Sequence, residues 1–443
     1  MKKIGKFKVC GLLGRGGMGK VYKVEYPVTG KTGALKLLAP NPFLSSIIGE
    51  EEIESMFTAE AIKMADLRHP NITEILDFDR SEGKLYYIME FYCNNLGTMI
   101  GESYETEKPS RKISIEKALH YTRQVLSGLS RLHFASIIHR DIKPFNILVT
   151  DHDTVKICDL GLSKLRNETF GNHKNLKIGT PYYAAPEQEK DPENVDFTCD
   201  LYSTAVMLFR MVTGRLPETG VTNPLEHNKS LDQSWLHFME KALAINPLER
   251  YENAEAMIEA LDALGELQKK GEQKTLYQPE PLPVEKLSDR LRSEPLKVKK
   301  NEAGTVFKTD VLKRPLKTVS NSFSTADAEL VHDKTTRLLW QQSGTRFPVN
   351  RKQATNYINM LNKKSYGGFN TWRLPTVNEL FSIITGGADC YGIAAVFDEN
   401  QKWIWSSDRC SFITAWYVSM EMGYVDQNDF SAYYHVKAVC SLG

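Results

Sequence analysis

Cysteine is scarce: seven occur in 443 residues, with no Cys-x-x-Cys pair and no Cys/His cluster. That excludes a disulfide-dense secreted scaffold and a cysteine-ligated zinc site, and makes a reduced, cytoplasmic setting the expectation. No apolar run reaches the roughly 18 residues a membrane-crossing helix needs, so no membrane span is expected. The basic stretch at the N-terminus is not followed by the long apolar core of a signal peptide. One-sided charge is also absent. The 56 basic and 55 acidic residues leave a formal charge of +1, so no global field recruits nucleic acid or acidic lipid. Hydrophobic content of 41% and charged content of 25% exclude a wholly disordered or collagenous chain. At about 150 residues per domain, the length predicts two to three domains.

Three regions separate by composition. Residues 1–265 begin with short strand patterns around glycines (Phe7–Leu13, Lys20–Tyr26, Lys84–Glu90) and continue with helical ones. Over Ile115–His133, Ala118, Leu119, Thr122, Leu126, Leu129 and Leu132 recur at helical spacing. Strands first and helices afterwards predict two lobes, not a repeating βαβ sheet. Residues 266–325 carry 13 Lys or Arg, 8 Asp or Glu, 5 Pro and only three aromatics, the composition of a flexible basic linker. Residues 326–443 hold every tryptophan except Trp235 and read as a second globular domain. There Ala354, Tyr357, Ile358 and Leu361 mark a helix that stops at Gly367-Gly368. Thr376 to Glu379 has the form of a capping box. Trp403–Ser406, Trp416–Met420 and Tyr433–Val439 read as strands.

The chemistry concentrates in the first region. Gly14-Arg15-Gly16-Gly17-Met18-Gly19 joins two predicted strands, where glycines let backbone amides approach a polyphosphate. Ala34-Leu35-Lys36 follows on a strand, and Glu60 lies in the helical run Met56–Leu67, able to pair with Lys36. His139-Arg140-Asp141-Ile142-Lys143-Pro144-Phe145-Asn146 precedes an apolar triplet. Asp159-Leu160-Gly161 stands 18 residues after Asp141, and Ala185-Pro186-Glu187 closes a 29-residue segment that Asp159 opens.

With these motifs in this order, the first 265 residues resemble the eukaryotic-type protein kinases, and the Gly-Gly-Met-Gly loop is most similar to their bacterial serine/threonine branch. The resemblance implies a two-lobed α+β kinase fold that binds ATP with Mg2+, Mn2+ being an acceptable substitute. Phosphoryl transfer demands alignment and charge neutralisation more than covalent chemistry. On that pattern Lys36, held by Glu60, positions the α and β phosphates. Asp159 and Asn146 hold the metal, an oxygen-preferring cation. Asp141 accepts the proton of the attacking hydroxyl, and Lys143 stabilises the γ-phosphate. Leu13, Gly14, Gly16, Gly17 and Gly19 cover the nucleotide, while Val21, Ala34 and Leu148 sandwich the adenine. Met89 stands at the back of that pocket, with Glu90 to Tyr92 offering hinge backbone.

Lys143 and Thr180, by the same resemblance, imply protein substrates phosphorylated on serine or threonine. Arg140 beside Asp141 implies regulation by a phosphate on the segment after Asp159, with Thr169 first and Ser163 and Thr180 as further candidates. Glu187 is expected to pair with Arg250, and Asp200 to anchor the loop around Asp141. His139 is expected to pack, against Leu160, Met64 and Ile75. Leu160 in place of a common phenylalanine, and Cys93-Asn94-Asn95 in place of glycines after the hinge, depart from the pattern without removing a catalytic group. The alternative is a pseudokinase scaffold whose C-terminal part does the binding.

Residues 326–443, through Leu338-Leu339-Trp340, Trp372-Arg373-Leu374-Pro375-Thr376, Trp403-Ile404-Trp405 and Ala415-Trp416-Tyr417-Val418, resemble the C-terminal domain of collagen-like bacterial lectin proteins. That resemblance implies a fold related to C-type lectins and formylglycine-generating enzymes, and a module that binds an unknown ligand or protein. Ser406–Tyr434, polar and aromatic, is the candidate recognition surface.

Overall fold

A computed structural model describes every residue except 1, 16–18, 104–107, 160–163, 166–181, 192–193, 219–222, 273–283, 286–290, 328, 388–389 and 443. Internal packing divides the chain into two compact units, Met1–Leu276 and Tyr277–Gly443.

The first unit opens with an antiparallel sheet of β1 (Lys3–Ile4), β2 (Phe7–Arg15), β3 (Gly19–Glu25), β4 (Thr32–Leu38), β5 (Ile75–Ser81) and β6 (Lys84–Met89), in the order β1-β2-β3-β4-β6-β5. Helices α1 (Pro42–Ile48) and α2 (Glu50–Ala65) lie between β4 and β5 in the chain. Alternation along each strand sorts side chains to opposite faces. On β6, Tyr86 and Ile88 join Phe7, Val24 and Leu35 on one face. Leu85, Tyr87 and Met89 join Ala34 and Leu38 on the other, where Ile53, Phe57 and Ala61 of α2 cover them. Lys36, between Ala34 and Leu38 in the same alternation, is thereby turned toward α2. Gly19 is required by strand pairing as well: a Cβ there would sit 2.3 Å from the Leu37 carbonyl oxygen.

The helical part contains β7 (Asn94–Asn95), α3 (Leu96–Ile100), α4 (Ile115–Phe134), β8 (Ile137–Ile138), β9 (Ile147–Val149), β10 (Val155–Ile157), β11 (Lys164–Leu165), α5 (Pro186–Lys190), α6 (Thr198–Thr213), α7 (Gln233–Ala242) and α8 (Ala254–Glu272). Ser114 caps α4 by accepting from the Lys117 amide, and its apolar stripe (Ala118, Tyr121, Val125, Leu126, Leu129, Leu132) is buried. Nearly every residue of α6 is buried, which makes it the axis around which this part packs.

The second unit contains β12 (Val284–Glu285), α9 (Ala303–Phe307), β13 (Thr318–Val319), β14 (Phe323–Asp327), β15 (Leu330–Asp333), β16 (Leu338–Gln341), α10 (Arg351–Lys363), α11 (Val377–Ser382), β17 (Ile384–Gly387), β18 (Cys390–Ile393), β19 (Trp403–Arg409), β20 (Thr414–Ser419), β21 (Tyr424–Asp429) and β22 (Val439–Ser441). A four-stranded sheet β14-β15-β16-β22 and a three-stranded sheet β19-β20-β21 carry it. The expected capping box of Thr376 with Glu379 is present on α11, and a second, not expected from the sequence, joins Asn350 with Gln353 on α10.

Two expectations fail here. Residues 291–325 are not a solvated tether. Val298, Ala303 and Phe307 are buried in the core of the second unit, where the Phe307 and Trp416 rings meet at 5.3 Å and Trp416 Nε1 donates to the Val298 carbonyl at 3.1 Å. Arg292 forks onto Asp408 at 2.8 and 2.9 Å. A few well-spaced apolar residues among many lysines escape a composition average, yet suffice to dock a segment. The expected strand Tyr433–Val439 also fails as a strand. It is extended but divides its bonds between partners, Tyr434 with Val349, His435 with Ile404 and Val439 with Arg373. Only Val439–Ser441 forms a ladder, and the third strand of the smaller sheet is β21.

Candidate active site

Lys36 Nζ lies 2.8 Å from Glu60 Oε1 and 2.8 Å from Asp159 Oδ1. Sheet alternation aims the lysine, and the buried stripe of α2 brings Glu60 to meet it. Burial alone would lower the Lys36 ammonium. The Asp159 and Glu60 carboxylates reverse that, leaving it well above its ordinary value. The Lys36 charge in turn holds the Asp159 carboxyl down at about 2. This half-exposed carboxylate therefore stays ionised at neutral pH.

A second cluster forms on the loop between β8 and β9. Lys143 Nζ donates to Asp141 Oδ2 at 2.7 Å. Asn146 Nδ2 donates to the Asp141 carbonyl at 2.8 Å and to its Oδ2 at 3.0 Å. The loop is held from α6: Asp200 accepts from the His139 amide at 2.9 Å and the Arg140 amide at 2.7 Å. His133 Nε2 lies 2.9 Å from the same carboxylate. Burial by itself would raise the Asp200 carboxyl; the bond from His133 and the donated amides bring it below its usual value. Arg140 takes φ 68° and Asp159 φ 65°, left-handed conformations uncommon in non-glycine residues and characteristic of constrained sites. Gln188 Nε2 donates to the Arg140 carbonyl at 3.0 Å, so both backbone groups of that residue are fixed.

Several expected neighbours are where the motifs put them. Ala34 and Met89 are buried beside each other on β4 and β6; Val21 and Leu148 are half-buried. Leu13 and Gly14 lie on β2 and Gly19 on β3, Leu13 being exposed. Glu90 spends its carboxylate on Lys156 at 2.8 Å and on the Tyr92 hydroxyl at 3.0 Å, so only backbone remains to it as a hinge contact. Arg250 forks onto Glu187 at 2.6 and 2.7 Å, as expected. His139 is fully buried, its Nδ1 accepting from the Asp141 amide at 3.2 Å. Gly16, Gly17, Leu160, Ser163, Thr169 and Thr180 lie outside the described residues.

Other contributors had no sequence signal. Tyr87 donates its hydroxyl to Glu60 Oε1 at 2.7 Å. Glu102 gathers the Tyr183 hydroxyl at 2.6 Å and Arg210 at 3.0 Å. These pairs are 27, 81 and 108 residues apart in the chain, beyond any local pattern. In the second unit, the proposed surface Ser406–Tyr434 is largely core, with Ser406, Asp408, Trp416, Tyr417, Val418, Tyr424 and Val425 all buried. Its exposed residues are Arg409 at the end of β19, Phe412 and Ile413 in the turn that follows, and Tyr433, while Asp426–Asp429 of β21 are half-buried.

The arrangement fits a nucleotide with its metal. Asn146 commits its amide nitrogen to Asp141, which turns the carbonyl oxygen elsewhere, and Asp159 supplies an ionised oxygen. Among the described residues no cluster of three His, Cys, Asp or Glu could hold a metal alone. The Asn146 and Asp159 oxygens suit Mg2+, which takes one or two ligands from the protein and completes its shell with phosphates and water. No helix among the described residues is long and apolar enough to cross a membrane.

Comparison with known proteins gives a concordant picture. The protein kinase domain model matches residues 7–273, and the Lcl C-terminal domain model matches residues 329–440. The probable serine/threonine-protein kinase PknB of Lactococcus lactis is 29% identical over 61% of this chain and 44% of its own length. Serine/threonine-protein kinase PrkC of Bacillus subtilis is 31% identical over 57% of this chain and 39% of its own. Serine/threonine-protein kinase pkn3 of Myxococcus xanthus is 30% identical over 58% of this chain and 50% of its own. The chain thus spans half or less of the length of these curated relatives. The solved kinase domain of Mycobacterium tuberculosis PknI aligns with 60% of this chain and 97% of its own at 22% identity and a TM-score of 0.46.

Proposed function

Because the chain belongs to the protein kinase domain family, whose model covers residues 7–273, we propose that it transfers the γ-phosphate of ATP to serine and threonine hydroxyls of proteins, its own included. The observation that carries this reading is Lys36 shared between Glu60 and Asp159 at 2.8 Å each. That buried bridge presents a fixed cation to phosphate oxygens from the floor of the cleft. The glycine loop between β2 and β3, with Gly14, Gly16, Gly17 and Gly19, covers the phosphates from above. Val21, Ala34 and Leu148 contact the adenine, Met89 bounds the pocket, and the backbone of Glu90 to Tyr92 pairs with the base edge.

Asp159 and Asn146 would hold Mg2+, which when bound neutralises charge on the β and γ phosphates. Asp141 receives the proton of the substrate hydroxyl through its carboxylate. Lys143, held on Asp141 Oδ2, swings to the γ-phosphate as negative charge shifts there. Arg140 pairs with a phosphate on Thr169, or on Ser163 or Thr180, in the segment after Asp159, and so couples modification to loop order. The C-terminal region serves as a recognition module with the lectin-like chemistry its resemblance implies. It binds a ligand or protein that recruits substrate to the kinase or regulates it.

Intact-mass spectrometry of the full chain after incubation with Mg-ATP tests the catalytic reading, with Asp141→Asn and Lys36→Met beside it. Phosphate additions in the parent chain alone are expected. No addition to the chain, together with no labelling of a generic serine/threonine substrate, overturns it, and so does undiminished transfer in Lys36→Met.

A further inference from the structure

The turn joining β19 to β20 carries Cys410, Ser411, Phe412 and Ile413. Phe412 is 84% exposed and Ile413 66% exposed, in a unit whose other large side chains are mostly core. Neither residue is needed to close the turn, because Ser411 Oγ accepts from the Ile413 and Thr414 amides and Cys410 N donates to the Thr414 carbonyl. The apolar pair therefore protrudes from a polar turn that is complete without it.

Two cations, Lys297 and Arg409, flank the pair. The segment around Leu296 runs beside the end of β19: Arg409 N donates to the Leu296 carbonyl at 2.9 Å, and Val298 N to the Arg409 carbonyl at 2.8 Å. With Val298 turned into the core, Lys297 is turned out, and its ammonium lies 3.9 Å from the centroid of the Phe412 ring. Arg409 lies over Phe430 at 5.6 Å, and Phe430 N donates to the Ile413 carbonyl at 2.9 Å. Exposed Lys299 and Lys300 follow in the chain. The acids nearby are Glu302, 3.9 Å from Lys299, Asp429, which accepts from the Ser431 amide, and exposed Glu294. Lys297, stacked over Phe412, and exposed Arg409, at the foot of the turn, thus flank two exposed apolar side chains, with exposed Lys299 and Lys300 two and three residues beyond Lys297 in the chain.

We propose that this turn is a peripheral membrane foot, in which Phe412 and Ile413 enter the headgroup boundary of an anionic bilayer while Lys297, Lys299, Lys300 and Arg409 lie against its surface. The shape favours a bilayer over an acidic peptide. A peptide is gripped in a groove or along a sheet edge, whereas a projecting apolar tip with a basic collar suits an interface that closes around it. Each basic residue near such a surface adds attraction that salt screens, and the inserted side chains add an apolar term that salt does not. The inference stands apart from the kinase reading, since every residue in it belongs to the second unit.

Co-sedimentation of the full chain with vesicles tests it, using neutral phosphatidylcholine alone or with about 30 mol% phosphatidylserine. Binding to the anionic vesicles only is expected, falling at least about tenfold in the Phe412→Ser/Ile413→Ser double variant and in Lys297→Glu/Lys299→Glu. Circular dichroism identical to the parent's certifies that these exposed positions leave the fold intact. No binding to anionic vesicles, equal binding of the apolar double variant, or equal binding to neutral vesicles overturns the proposal. Capture by soluble poly-glutamate with vesicles left unbound also overturns it, and assigns the turn to an acidic protein partner.

Discussion

The Tyr87 hydroxyl donates to the same oxygen of Glu60, Oε1, that Lys36 holds, at 2.7 and 2.8 Å respectively. Among the described residues Glu60 Oε2 is buried without a hydrogen-bond partner, so these two bonds aim the carboxylate. The Tyr87 ring also packs on Phe57 of α2 at 5.1 Å. One strand residue thus ties the helix to the sheet by a ring contact and orients its glutamate by a hydrogen bond.

Tyr87→Phe separates those two contributions, keeping the ring and losing the donor. The expected result is a KM for ATP raised about three- to tenfold with a smaller change in kcat, measured by initial rates. Tyr87→Leu should lose the packing too and lower thermal stability. Unchanged KM in the phenylalanine variant would reduce Tyr87 to a packing residue.

Asp200 holds two successive buried amides. Asp200→Ala leaves both donors without an acceptor and should destabilise the first unit by roughly 3 kcal/mol in urea denaturation. Asp200→Asn keeps an acceptor oxygen and should lose less. In both, phosphotransfer should fall by more than ATP binding, because the loop bearing Asp141 loses its anchor while Lys36 keeps its own partners.

Arg250 is buried and forks onto Glu187. Arg250→Ala should cost about 3 kcal/mol, since the half-buried glutamate loses its cation and the Ala244 and Thr198 carbonyls lose their donor. Arg250→Lys should recover little, because a point charge cannot reproduce the bidentate geometry. Chemical denaturation followed by circular dichroism reads both.

Lys437 gives a pH signature specific to the second unit. It is fully buried near Phe397 and Asp398, and burial lowers its ammonium to about 7 against a weaker opposing effect of Asp398. Below pH 7 both folded and unfolded states carry the proton, so the cost of the buried charge is fully present. Between about 7 and the unfolded value of about 10.4 only the unfolded state keeps it, and stability rises with pH by up to roughly 4 kcal/mol. Tryptophan emission during denaturation reports it, five of the six tryptophans lying in this unit. Lys437→Met should abolish the rise and stabilise the unit at neutral pH; a rise that persists in the variant refutes the assignment.

The motifs around Lys36, Asp141 and Asp159 were legible in sequence because phosphoryl transfer restricts residue type at fixed local spacing. The helices over Ile115–Phe134 and Arg351–Lys363 and the capping box at Thr376 were legible for a similar reason, since periodicity and capping are local physics. Sequence by itself determined that much: these local elements, and the candidate residues that the structure brings together as Lys36 with Glu60 and Asp159 and as Asp141 with Lys143 and Asn146. Tertiary structure decided the rest. Which donors share Glu60, why Arg140 tolerates a positive φ, and how residues 291–325 fold into the second unit all depend on contacts far apart in the chain. A lysine-rich segment and a solvated tether share one composition. What separates them is a handful of side chains, Val298, Ala303 and Phe307, whose burial is favourable only once Trp416 and its neighbours are assembled to receive them.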